Sequence, residues 1–157
     1  MTQTRTDLRK LQRKKQKKKE TDRTPDLINQ LLEVWEKSVR ATHLFLSDRE
    51  IKNIKEYVPQ ALNGIAHLMI DAGEAGRAVA FMGIEDGTLE MLFISPEERG
   101  KGLGKRLIEY GIESYSVERL AVNEQNPQAK KFYEHMGFHV NKRTGLDEQG
   151  NPYPLLY

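Results

Sequence analysis

The chain has 157 residues, 38% hydrophobic and 31% charged, with a net charge of +2 and no cysteine. That length suits one domain with a substantial core. No apolar run approaches the ~20 residues of a membrane span, the N-terminus lacks the apolar stretch of a signal peptide, and zero cysteines exclude disulfides, thiolate metal ligands and a cysteine nucleophile. A cytoplasmic protein with no membrane partner is expected. The four histidines (43, 67, 135 and 139) form no ligand spacing, so no metal site is expected.

The modest net charge conceals a lopsided distribution. Residues 5–23 hold ten Lys/Arg against three acids, a net of +7, and the rest of the chain carries −5. With only Leu8 and Leu11 as large aliphatics, residues 1–23 cannot bury enough surface to order themselves. They are expected as a basic, disordered segment ahead of a folded domain over 24–157. A cationic run also suits nucleic acid through counterion release, and this is the route by which such a partner enters.

Thr24-Pro25 reads as N-cap and first helical residue, followed by Leu27, Ile28, Leu31, Leu32, Trp35 and Val39 at helical spacing. Ser47 with Glu50 resembles a capping box for a second helix to about residue 62, which Pro59 should bend or end. Three strand-like segments follow, 65–70, 77–84 and 88–94, separated by turns at 71–76 and 85–87, the pattern of an antiparallel meander. A helix over about 102–115 leads to a short strand over 117–122, parallel to 88–94. Asn126-Pro127 opens another helix whose inward face is Ala129, Phe132, Tyr133 and Met136, with Gly137 as its cap. Segments 138–144 and 153–157 read as closing strands joined by a turn at 147–150.

The chemistry concentrates at Phe93-Ile-Ser-Pro-Glu-Glu-Arg-Gly-Lys-Gly-Leu-Gly-Lys105. Glycines 100, 102 and 104 sit where a strand feeds a helix, so unpartnered amides and the helix dipole face outward. Glycine admits a ligand to that backbone without a Cβ in the way. Arg99, Lys101, Lys105 and Arg106 add charge, and the whole reads as a pyrophosphate cradle. The dinucleotide motif G-x-G-x-x-G fails at Leu107, and the phosphate loop G-x-x-x-x-G-K-[ST] fails at Arg99 and Arg106.

Arg99-Gly-Lys-Gly-Leu-Gly104 resembles the acetyl-CoA motif R/Q-x-x-G-x-G/A of the GNAT N-acetyltransferases. Asn123-Glu-Gln-Asn126, Ala129-Lys-Lys-Phe-Tyr133 and Gly137-Phe138 resemble the family's later motif, and the likeness covers roughly residues 26–157. Trp35 to Ser47 and Asp147 to Leu156 further resemble a bacterial subgroup of the family, the YjaB type. The resemblance implies an α/β (α+β) fold with a mixed, mostly antiparallel central sheet and helices on both faces. It also implies a first strand before residue 24, where this chain is almost wholly charged, so that strand is expected to be missing or altered.

The activity implied is acetyl transfer from acetyl-CoA to a primary amine of a small molecule or peptide by direct attack, by a monomer or homodimer. The alternative is a CoA-binding sensor with little transferase activity. By the same resemblance, the backbone of Leu92, Phe93 and Ile94 holds the pantetheine arm where the next strand splays away. Gly100, Lys101, Gly102, Leu103, Gly104 and Lys105, behind Arg99, take the pyrophosphate. Asn126 contacts the pantetheine and Tyr133 protonates the departing thiolate. The base is open between two residues. Glu90 lies on the strand before the cradle, and strict alternation puts it on the face of Leu92 and Ile94. His43 titrates in the useful range. Asn123 is a candidate to hydrogen-bond the acceptor, whose pocket is expected among Glu36, Arg40, His43 and Tyr153.

Overall fold

A computed structural model describes residues 23–157. The expected basic segment and the altered first strand therefore lie outside the described residues, apart from Arg23. The elements are α1 (Pro25–Thr42), α2 (Asp48–Lys55), α3 (Val58–Gly64), β1 (His67–Ala72), β2 (Ala78–Glu85), β3 (Thr88–Ile94), a 3-10 turn (Pro96–Glu98), α4 (Leu103–Tyr115), β4 (Arg119–Leu120), β5 (Val122–Asn123), α5 (Pro127–His135), β6 (Arg143–Thr144) and β7 (Leu155–Leu156).

Local chemistry accounts for the helix starts. The Thr24 hydroxyl accepts from Leu27 N at 3.2 Å, with Pro25 contributing its preset φ. Ser47 and Glu50 close both halves of a capping box, at 3.1 and 3.0 Å. Residues 47–62 do not form one bent helix: α2 stops at Lys55 and α3 starts at Val58. A proline ring collides with the carbonyl four residues earlier, and four before Pro59 is Lys55, so the break falls where that clash requires it.

The sheet divides in two. One part has the order β1-β2-β3-β4, antiparallel except for the parallel β3/β4 pair, and the other has the order β5-β7-β6. The segment expected as one strand over 117–122 is thus two short ones that pair with different sheets, and the closing strands shrink to two residues each. β4 meets β3 only at Thr88↔Arg119 and Leu89↔Leu120. From Glu90 to Ile94, β3 has no strand partner on that edge.

Helices cover both faces. α1, α2 and α3 bury Leu31, Trp35, Val39, Ile51 and Leu62 against Leu68, Ile70 and Phe81. On the other face α4 buries Leu107, Ile108 and Tyr110 against Met82, Ile84 and Leu89, with Phe132 and Tyr133 of α5 packed alongside. The approach of α4 is close: a Cβ on Gly111 would lie 3.1 Å from Ile84 Cδ1 and 3.2 Å from Val117 Cγ2.

One irregularity in β3 changes the reading of Glu90. Gly83 faces Met91 while Ile84 faces Leu89, so Glu90 is an extra residue without a partner, a β-bulge. The bulge reverses the alternation. Leu89 packs on the α4 side, but beyond the bulge it is Leu92 and Ile94 that do so, while Met91 and Phe93 turn to the α1 side. Glu90 lines a cleft with Trp35, Val39 and Phe93. The expectation that it shares a face with Leu92 and Ile94 is therefore corrected, because alternation holds only for a strand without an insertion.

Candidate active site

The glycine loop enters α4 through backbone that only glycine adopts readily. Gly100 has φ +80° and Gly102, the helix N-cap, has φ +78°. A Cβ built on either meets no protein atom within 4 Å. Neither glycine is there to relieve protein packing, and the side of the loop that a side chain would fill is open. Gly104 differs: its Cβ would lie 3.1 Å from Ile94 Cδ1 and 3.4 Å from Phe132 Cζ, so it lets α4 seat against the strand and α5.

The first hydrogen bond of α4 is Arg106 N to Gly102 O at 3.1 Å. Among the described residues no group accepts from the amides of Gly100 through Lys105. A run of outward amides at a helix N-terminus, two of them on left-handed glycines, fits a diphosphate. Lys101 Nζ pairs with Glu98 Oε2 at 2.8 Å and Lys105 Nζ approaches Glu109 Oε1 at 4.0 Å. Arg106 donates to Lys101 O at 3.2 Å and so braces the loop.

Two cavities flank β4. The larger, of about 880 Å³, is bounded by α1, α2 and Tyr57 on one side and the 147–155 segment on the other. It holds Glu90, His43, Asn123 and Tyr153 together with Phe93. The smaller, of about 360 Å³, is lined by Tyr133, Phe138 and Val122. Arg119, Leu120 and Tyr157 border both, so the two meet along β4 beside the unpaired edge of β3. Gly100 to Lys105 and Asn126 line neither. Asn126 Oδ1 caps α5, accepting from Ala129 N at 3.3 Å.

Electrostatics distinguish the titratable residues. Partial desolvation, reinforced by the charges of Glu148 and Glu85, pushes the Glu90 carboxyl above its ordinary range. His43 is pushed down, by burial first and by Arg99 second, and Thr42 Oγ1 sits 2.8 Å from its Nδ1. Burial raises the Tyr133 phenol far above its usual value, so the hydroxyl stays protonated. Its ring is held edge-on by Phe132 and Phe138 at 5.2 and 6.2 Å between centroids. Tyr133 makes no hydrogen bond through its hydroxyl among the described residues.

Of the residues expected around the acceptor, His43 and Tyr153 line the larger cleft, and Phe45 bridges their rings at 5.4 and 5.2 Å. Glu36 and Arg40 do not line it. Glu36 is held by Lys55 at 2.6 Å and Arg40 at 2.9 Å, and Arg40 reaches Asp48 at 2.8 Å, an ion network that links α1 to α2. Sequence reasoning missed Glu50, Asp147, Glu148 and Arg119 as lining residues. Glu50 had looked like a cap only. In the fold its other oxygen accepts from the Tyr153 hydroxyl, and that bond lowers its pKa and raises the phenol's. Among the described residues no group of three or more His, Asp or Glu is arranged to hold a metal ion, and no helix is long and apolar enough to cross a membrane.

Comparison with known proteins accords with this geometry. Residues 36–150 match the family model described as an acetyltransferase (GNAT) domain. The chain is 39% identical over 127 residues to the peptidyl-lysine N-acetyltransferase YjaB of Salmonella typhimurium strain LT2, covering 81% of this chain and 87% of that protein. It is 38% identical over 127 residues to the protein of the same name from Escherichia coli K12, covering 81% and 86%. The solution structure of apo-form YjaB from Escherichia coli superposes with a TM-score of 0.74 at 37% identity, covering 83% of this chain and 88% of that one. The PaiA N-acetyltransferase of Thermoplasma acidophilum, solved in complex with coenzyme A, shares the fold at a TM-score of 0.62 and 23% identity, covering 82% and 91%. The chain therefore belongs to the GNAT family and is an N-acetyltransferase that takes its acetyl group from acetyl-CoA.

Proposed function

We propose that the acceptor is the side-chain amine of a lysine in a polypeptide, and that the transfer is a direct attack with Glu90 as base and Tyr133 as acid. The observation that carries this reading is the large cleft beside α1 and α2. Its acidic and basic lining is Glu50, Glu90, Asp147 and Glu148 against Arg119, beside His43. Arg119 is itself paired with Glu118 at 2.6 Å and donates to Asp86 O. Such a surface favours a cationic chain. The relatives named peptidyl-lysine N-acetyltransferases support the same acceptor.

Acetyl-CoA supplies the activated acyl group as a thioester. The amides of Gly100 to Lys105 bind its diphosphate, and the free edge of β3 from Leu92 to Ile94 aligns the arm as a strand partner does. Asn126, the N-cap of α5, contacts that arm in this reading. A lysine ammonium cannot attack until it loses a proton. The raised pKa of Glu90 narrows the gap to the amine and makes it a better acceptor than an ordinary carboxylate, directly or through a water. His43 is neutral near pH 7, and its burial makes the imidazolium costly, so it positions the acceptor rather than holding its proton. Donors from the β3 edge stabilise the oxyanion as it forms. The Tyr133 hydroxyl, uncommitted and kept protonated by burial, donates to the departing thiolate; burial makes it a weak acid, but a thiol pKa near 8.5 asks for little, so a hydrogen bond as the C–S bond breaks suffices.

A thiol-release assay run in parallel on lysine peptides and on free small amines tests the reading. Turnover on the peptides at least tenfold above that on the amines is expected. Release with the small amines alone would overturn the polypeptide acceptor.

A further inference from the structure

The body of the chain has an acid-lined cleft, and the sequence ahead of the body is the opposite. Residues 5–23 carry a net +7, and six lysines, at 10, 14, 15, 17, 18 and 19, precede Arg23. Arg23 fixes where that segment joins. Its guanidinium donates to the carbonyls of Leu62, Asn63 and Ile65 at 3.1, 3.0 and 2.7 Å, a cation set on the C-terminal end of α3. α3 has seven residues, about 10 Å of helix, and Ile54 and Tyr57 just before it line the cleft. A second path agrees. Ala66 N donates to Glu85 at 2.9 Å, Glu85 pairs with Thr88, and Thr88 lines the cleft.

We propose that this enzyme acetylates its own N-terminal lysines, with residues 10–19 entering the acid-lined cleft of the same molecule. The inference rests on the polypeptide-lysine reading above. A chain of n residues spans at most about 3.3–3.6 Å times n. Lys19 therefore reaches about 14 Å from Arg23, little more than the length of α3. Lys15, Lys14 and Lys10 reach about 28, 31 and 45 Å and arrive with slack. Tethering supplies an effective concentration on the order of millimolar, and opposite charge adds to it. In each event the lysine ammonium gives one proton to solvent through the base. The nitrogen lone pair forms the C–N bond, the C–S bond breaks, and a second proton from nitrogen ends on the CoA thiol. Every transfer removes one positive charge from the segment, so the acetylated product loses its attraction to the cleft and leaves it open to other chains.

The test uses the full chain incubated with labelled acetyl-CoA, peptide mapping by mass spectrometry, and a parallel assay on an external lysine peptide. Label is expected on Lys10, Lys14 and Lys15 first and on Lys19 last. The rate per molecule is expected to stay constant over a tenfold range of protein concentration. A chain with all six lysines changed to arginine keeps its charge and is expected to retain turnover on the external peptide while losing the label. Transfer to the external peptide without self-label overturns self-acetylation alone, as does a rate proportional to concentration. Label that persists undiminished in Gly102→Val shows non-enzymatic transfer and also overturns it. No transfer to either acceptor overturns this inference and the lysine reading together.

Discussion

Gly102 and Gly76 allow the cradle to be tested with its own control. Both have left-handed backbone, φ +78° and +80°, and a Cβ on either meets no protein atom within 4 Å. Alanine at either position should therefore cost the fold the same amount, about 1–2 kcal/mol for an L-residue in that region. They differ in location: Gly102 is the N-cap of the helix that carries the free amides, whereas Gly76 closes the turn between β1 and β2, donating to Gly73 O at 2.9 Å. At Gly102 the new methyl occupies the space from which, in the proposed cradle, a diphosphate would reach the backbone. Displacing one amide–phosphate bond costs about 1.5–3 kcal/mol, a loss of about 10- to 150-fold in affinity. Urea unfolding should register equal losses for Gly102→Ala and Gly76→Ala, and calorimetric titration with CoA should register weakening for Gly102→Ala alone. Equal affinities in the two variants would refute the assignment of the loop as the diphosphate site.

Further outcomes follow from the same geometry. Tyr133→Phe keeps the ring between Phe132 and Phe138, so stability and acetyl-CoA affinity should hold while turnover falls about 10²-fold; a matching loss of affinity would assign the hydroxyl to binding. Glu90, if it is the base, works ionised, so its raised pKa sets an acidic limb in the activity profile. Glu148→Gln removes a like charge, lowers that pKa and should move the limb to lower pH, and Glu90→Gln should abolish it; a limb unchanged in both variants would exclude Glu90. Gly111→Ala gains about 1 kcal/mol of helix propensity but forces contacts at 3.1 to 3.4 Å with Ile84, Val117 and Met82. A net loss of about 1–3 kcal/mol is expected in urea, and a net gain would contradict the tight seat of α4.

Sequence-local chemistry made some of this legible. β3 falls on Thr88–Ile94 as the turn residues implied, and the helix starts at Thr24, Ser47 and Asn126 fall where their caps stand. A cap is satisfied within four residues, so no distant partner can move it. Register is not local. The bulge at Glu90 depends on how β3 meets β2, and period-2 alternation assumed there was none. Gly83 was the available signal, since glycine inside a strand marks a bulge or a close approach, and its Cβ would lie 3.2 Å from Met91 Sδ. The lining roles of Glu50, Asp147 and Glu148 were hidden for the same reason: a capping box and a turn explained them locally, while the cleft that uses them joins segments about a hundred residues apart, as the Tyr153–Glu50 bond does (|i−j| = 103).

In the proposed reading the main-chain amides from Gly100 to Lys105 hold the diphosphate of CoA. The most direct measurement is a backbone amide NMR titration of the full chain with CoA and, separately, with pantetheine, which shares the thiol arm and lacks the diphosphate. Large shifts confined to the CoA titration are predicted for residues 100–105, with the β3 edge from Leu92 to Ile94 responding to both ligands. Loop amides that stay in place with CoA, or move equally with pantetheine, would rule out diphosphate binding at this loop.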